Sequence, residues 1–311
     1  MSLPLNLLMP TAATTGSAAD AAGLTEAELL ARYPVLAVAA GILLALGLAC
    51  DSYLIFRLTR AYPASTTGGS RMFKVQPKPW GLHELVLATL AILAALAATF
   101  GALALVAHGL HLGDEDEISF QMAGQMLVYI IILAGFLRYF RRRNLSVPQT
   151  FGLQPASLHG AIVTGLIFYL AILPPLAIVF AVYAQLCRAV GIEPTPQPVT
   201  SFFVSSDSGL ARGLIVAFAV VIAPVAEEFF FRGFAYTALK QRWGTGRALA
   251  VVSGMFALIH LHAPSIAPLF ALAIGFGLAY EWSGSLLAPI TMHALFNATN
   301  VAMLIYVRAQ S

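Results

Sequence analysis

The sequence predicts an all-α bundle of about eight membrane-spanning helices, with a polar cavity in its C-terminal half. Three observations support this. Of 311 residues, 59% are hydrophobic and only 10% charged, against about 25% charged in soluble domains. The apolar residues fall into runs of the length that crosses a bilayer, about 20 residues each. The unusual polar side chains within such runs lie almost entirely after residue 150.

The first span is expected from about Val35 to Phe56, the second from Leu85 to Val106 and the third from Met122 to Phe140. A fourth runs from Ala161 to Val182 and contains Pro174 and Pro175. These should kink it, because proline lacks the backbone donor and its ring clashes with the preceding turn. The fifth begins near Leu214; the sixth covers Ala248 to Leu261, the seventh Ile266 to Tyr280 and the eighth Leu286 to Tyr306. The residues ahead of the first span are weakly polar and rich in Ala, Thr and Ser, and 1–31 is expected to be a mobile tail. They show no basic start or small-residue cleavage site of a secretory signal. Residues 32–150 are expected to form a transmembrane scaffold and 151–311 the functional core.

Basic residues orient the array. Arg57, Arg60, Arg71, Lys74 and Lys78 lie between the first two spans, Arg138 and Arg141 to Arg143 end the third, and Lys240, Arg242 and Arg247 follow the fifth. Alternating spans bring all three sets to one side. The opposite loops are acidic or neutral, as in Asp114-Glu115-Asp116-Glu117. The positive-inside rule then puts the N-terminus outside and the basic loops in the cytoplasm, most simply in a cell's inner (plasma) membrane. A net charge of +3, with no basic run interleaved with aromatics, does not point to nucleic acid. Cys50 and Cys187 show no CxxC spacing and read as small buried hydrophobes.

The most informative stretch is Ala223-Pro224-Val225-Ala226-Glu227-Glu228-Phe229-Phe230-Phe231-Arg232-Gly233. An acidic or basic residue at the centre of a membrane helix costs about 2.5–3.5 kcal/mol on insertion scales. Three together cost up to roughly 8–10 kcal/mol unless they are paired or face a polar cavity. Residues four apart share a helix face and adjacent residues diverge by about 100°. Glu228 and Arg232 can therefore pair, which leaves Glu227 in another sector. Phe256 and His260 are four apart in the sixth span; His293 and Asn297 are four apart in the eighth, with Asn300 extending the stripe. His262, next to Pro264, reads as interfacial, and Ser253 as a small packing residue.

The ordered set Glu-Glu-x-x-x-Arg, Phe-x-x-x-His, His-x-x-x-Asn resembles the CAAX-protease and bacteriocin-processing family, also called type II CAAX prenyl endopeptidases. The resemblance covers about Ala211 to Val307, including Gly233 and the approach Trp282-Ser283-Gly284-Ser285-Leu286. It implies endopeptidase cleavage of a membrane-associated peptide or protein within the lipid layer. By carry-over, Glu227 and His260 would activate water, His293 and Asn297 would hold the oxyanion, and Glu228, Arg232 and Phe256 would support the site. Family members often carry the label metalloprotease, while the glutamate-type mechanism requires no cofactor. A metal such as zinc would have Glu227, His260 and His293 as its ligand set, two histidines and a carboxylate with an open position. The usual His-Glu-x-x-His arrangement is absent.

Two rival classes share the composition. One is a catalytically inactive scaffold or bacteriocin-immunity-type protein that keeps these residues for folding or partner binding. The other is a proton-coupled carrier, which needs a polar path to both faces. The first four spans offer little for such a path beyond Asp51 and Glu84. A question of depth also arises. Strict alternation sets Glu227 in the inner half of the fifth span and His260 near the outer end of the sixth.

Overall fold

The computed structural model describes residues 33–61, 74–111, 114–193, 195 and 197–310. The expected tail 1–31 and Arg71 lie outside the described residues. The regular structure of the described residues is all helix, with no strand. In chain order the helices are α1 (Pro34–Ala61), α2 (Leu82–Leu110), α3 (Asp114–Arg142), the short α4 (Val147–Thr150), α5 (Pro155–Ala189) and α6 (Pro198–Ser205). A long helical run follows: α7 (Gly209–Ala217), a wide π-turn segment (Phe218–Ile222), α8 (Ala223–Glu228), a second wide segment (Phe229–Tyr236) and α9 (Thr237–Leu258). A 3-10 turn (Ala263–Ser265) leads into α10 (Ile266–Ser283), and α11 (Leu287–Gln310) ends the chain.

Seven stretches among the described residues are long and apolar enough to cross a membrane, and the fifth is Gly209–Leu258. This fifth stretch is not one rod. Gly244 has φ 74° and ψ 173° inside α9, a backbone state that glycine adopts without a Cβ penalty. The chain doubles back there: the rings of Phe231 and Phe256, 13 residues before and 12 after Gly244, meet at 5.3 Å. The expected fifth and sixth spans are therefore the arms of one hairpin. The protein is an integral, multi-pass helical membrane protein, with about eight passes as the hydropathy pattern predicted.

The hairpin also answers the question of depth. Glu227 lies 17 residues before Gly244 and His260 lies 16 after it. At about 1.5 Å per residue both sit roughly 25 Å from the turn. Strict alternation misplaced them because the helix bearing Glu227 starts at Gly209 and is longer than one bilayer crossing.

Helix contacts use small residues, as expected where packing rather than hydrophobicity drives association in lipid. α5 runs unbroken through Pro174 and Pro175. Pro174 has no N–H to give to Leu170 O, and α1 fills that notch with Gly47. A Cβ at Gly47 would stand 2.5 Å from Leu170 O and 2.7 Å from Pro174 Cδ. Gly165 of α5 meets α11 in the same way, its virtual Cβ 2.6 Å from Ala288 O.

The basic loops gather at one end of the bundle. Lys240 Nζ donates to Val75 O at 2.9 Å and pairs with the buried Glu281. Gln241 Nε2 donates to Lys78 O at 2.7 Å, and Arg143 pairs with Glu84 at 3.4 Å. Lys78 donates to Thr150 O, and its burial lowers the ammonium pKa below the usual lysine value. Trp80 anchors the strap 74–81 by stacking on Phe234 at 5.4 Å. Its indole Nε1 donates to Phe234 O and Thr237 Oγ1, at 3.2 and 3.0 Å. Glu281 was not singled out in the sequence. It accepts from Tyr236 Oη and Val75 N, and so ties the strap to the hairpin.

Candidate active site

Glu227 and Glu228 occupy the last two positions of α8, between the two wide-turn segments. Such turns interrupt the ordinary i→i−4 ladder and recur at functional sites. The first one has a chemical origin. Ala223 N–H donates five residues back to Phe218 O. In that register the next donor, at position 224, would serve Ala219 O, but Pro224 has no hydrogen to give. Asn297 of α11 supplies it instead, with Nδ2 donating to Ala219 O at 2.7 Å. One amide hydrogen of Asn297 is thus committed to the backbone of the glutamate helix, and the second remains.

The two carboxylates diverge as their adjacency requires. Glu228 is fully buried, with 0% of its side chain exposed, and Arg232 shows 2%. Glu228 Oε1 accepts from Arg232 Nη1 at 2.9 Å and from His293 Nδ1 at 3.0 Å. Glu228 Oε2 is buried with no hydrogen-bond partner among the described residues. Arg232 Nη2 donates to Ala273 O of α10 at 2.9 Å. Its guanidinium lies 4.9 Å from the ring centres of both Phe256 and Phe276. Charge, hydrogen bonds and two aromatic faces together offset the cost of burying a cation.

Glu227 keeps 14% of its side chain exposed and has looser contacts. Tyr129 Oη of α3 donates to Glu227 Oε1 at 3.3 Å, while Glu227 Oε2 lies 4.0 Å from His293 Nε2. His293 therefore stands between the two carboxylates. Its ring stacks on Phe276 at 4.7 Å and meets the edge of Phe256 at 5.8 Å. Because Nδ1 carries the proton that bonds Glu228, a neutral His293 turns the lone pair of Nε2 toward Glu227. That contact is attractive only with a proton between the two atoms, on the imidazole, on the carboxyl or on a water.

His260 ends the second arm of the hairpin. Its Nδ1 donates to Phe256 O at 2.7 Å, and its ring packs on Phe256 at 4.9 Å. This fixes the tautomer and leaves Nε2 as the acceptor. His260 lies within electrostatic reach of Glu227. Phe256 thus touches Arg232, His260 and His293 at once. Gly233 lets the chain at Phe151 approach, since a Cβ there would lie 3.0 Å from Phe151 Cε1.

Glu227, Glu228, Arg232, Phe256, His260 and His293 are therefore neighbours on the hairpin and α11, and Asn297, one turn after His293, reaches the same helical run at Ala219. Asn300 is exposed and does not extend the stripe inward. Ser253 is buried, as packing implies. His262 lies in the turn after α9, sharing a 2.7 Å hydrogen bond between Nδ1 and Ser265 Oγ. Burial in that turn lowers its pKa. Among the described residues no group of three or more His, Cys, Asp and Glu is arranged to hold a metal ion. In the set Glu227, His260 and His293, each imidazole has Nδ1 in a hydrogen bond and Nε2 without one among the described residues. Two members of the site were missed in the sequence. Phe276 looks like any core aromatic. Tyr129 comes from a distant span, and only its polar tip on an apolar helix could have marked it.

Fold and site together define a helical membrane protein with a carboxylate–imidazole centre enclosed between its helices. Residues 210–299, which include every predicted site residue, match the family described as type II CAAX prenyl endopeptidase, Rce1-like. The resemblance in the sequence is thus borne out over those residues. No curated protein and no solved structure matches the chain.

Proposed function

We propose that the protein is an intramembrane endopeptidase that hydrolyses a peptide bond of a membrane-associated protein or peptide, with Glu227 as general base. The observation that carries this reading is the contrast between the two carboxylates. Glu228 is fully buried, with Oε1 held by Arg232 and His293, whereas Glu227 keeps 14% of its side chain exposed and its Oε2 lies 4.0 Å from His293 Nε2. A separation of 4.0 Å suits one water making two hydrogen bonds of about 2.8 Å, which subtend about 90° at its oxygen. A proton passes from that water to Glu227 as the oxygen attacks the carbonyl carbon, and Glu227 returns it to the leaving amine. His260 presents Nε2 as a second acceptor. His293, through Nε2, and the second amide hydrogen of Asn297 are the donors for the oxyanion. General-base help contributes about 10²–10⁴ in rate, and each oxyanion donor about 10²–10³.

The family match supports a protease of the CAAX type and leaves the substrate to be found. A prenylated C-terminus is the first class to try. The basic end, with Lys78, Arg143 and Lys240, supports a cytoplasmic orientation for that face and an outside N-terminus. Residues 151–311 act as the protease core in this reading, and 32–150 as its scaffold.

An inactive scaffold is the second reading, and one observation favours it: Asn297 already serves the Ala219 carbonyl. Comparison of membrane peptide inventories separates the two. A strain carrying Glu227→Gln should accumulate at least one uncleaved species relative to its parent at equal expression. Identical inventories support the scaffold.

A further inference from the structure

We propose that Tyr129, on the third span and outside the matched residues, is a positioning residue of the active site that orients the Glu227 carboxylate. The proposal rests on the protease reading above. Tyr129 Oη donates to Glu227 Oε1 at 3.3 Å. A carboxylate rotates about its terminal torsion over a broad, two-fold well, so one anchored oxygen fixes where the other points. With Oε1 held by Tyr129, Oε2 is turned toward His293 Nε2. The anchor is itself held. The Tyr129 ring packs edge-on against Phe218 at 4.9 Å, the first residue of the wide turn whose Ala219 O accepts from Asn297. One wide turn therefore receives Tyr129 from α3 and Asn297 from α11, and Tyr129 alone reaches on to the carboxylate that follows it.

The pattern of contacts separates Tyr129 from a tyrosine that only packs. Glu228 gains its hydrogen bonds from the hairpin and α11, within the matched residues. Glu227 has one hydrogen-bond donor among the described residues, and it comes from the scaffold. The first half of the chain thus supplies an element of the chemistry. Small displacements of a base from its productive geometry cost up to about 10²-fold in rate.

The test uses the purified full-length protein in detergent micelles with a fluorescence-quenched peptide ending in farnesylated Cys-Val-Ile-Met. Tyr129→Phe should lower kcat about tenfold or more with KM within twofold. Adding it to Glu227→Gln should have no further effect. Tyr169→Phe is the control: it removes a hydroxyl contact of 2.7 Å to Thr299 and should leave both constants unchanged. Parental kcat in Tyr129→Phe, or a rise in KM alone, overturns the proposal. If the parent leaves the probe intact, the protease reading fails for that substrate class and a thermal-unfolding cycle decides the contact. Non-additive shifts for Tyr129→Phe and Glu227→Gln support it, and additive shifts overturn it.

Discussion

Asn297 and Ala219 are joined across two helices by a 2.7 Å hydrogen bond that fills the place of the donor missing at Pro224. The Ala219 carbonyl belongs to a half-buried residue, and leaving such a group without a donor costs at most about 1–3 kcal/mol. Asn297→Ala should therefore destabilise the protein by up to that amount in thermal unfolding. Pro224→Ala restores an N–H where it is needed. In that background the cost of Asn297→Ala should fall by at least half. An equal cost in both backgrounds would show that the amide does not compensate the proline.

The Glu228–Arg232 pair and Glu227 should separate stability from activity. Breaking a buried ion pair by removing one partner costs about 3–5 kcal/mol. Arg232→Ala and Glu228→Ala are expected to lower stability by this amount, with poor recovery of folded protein from membranes. Glu227→Gln, which leaves the pair intact, should change stability by less than about 1 kcal/mol. Unfolding curves for the three variants in one detergent check the order. Equal losses would mean that Glu227 is part of the structural network.

Chelation should leave cleavage unchanged. In the glutamate-type reading Glu227 activates the water and no metal takes part. Dialysis against a strong chelator, followed by assay with and without added zinc, measures this. Loss of activity that returns with zinc would reassign Glu227, His260 and His293 as ligands.

Much of this arrangement was legible in the sequence. The spans followed from hydropathy, and the pairing of Glu228 with Arg232 followed from helical spacing. The stripe of His293 and Asn297 followed from the same arithmetic, because helix periodicity is a local property. What depended on departures from the ideal helix was hidden. No propensity announces that Pro224 opens a wide turn, and Gly244 could not be told from other glycines as the reversal that brings Glu227 and His260 level. Contacts between distant elements were also out of reach. Tyr129 to Glu227 spans 98 positions, and Phe276 reveals its place only beside Arg232 and His293.

The most direct measurement of the central claim is the cleavage rate of purified full-length protein and its Glu227→Gln variant on the farnesylated peptide, at equal folded fraction. The account predicts cleavage by the parent and a loss of about 10²-fold or more in kcat for the variant, as expected when a general base is removed. A Glu227→Gln protein that cleaves as fast as the parent would contradict it.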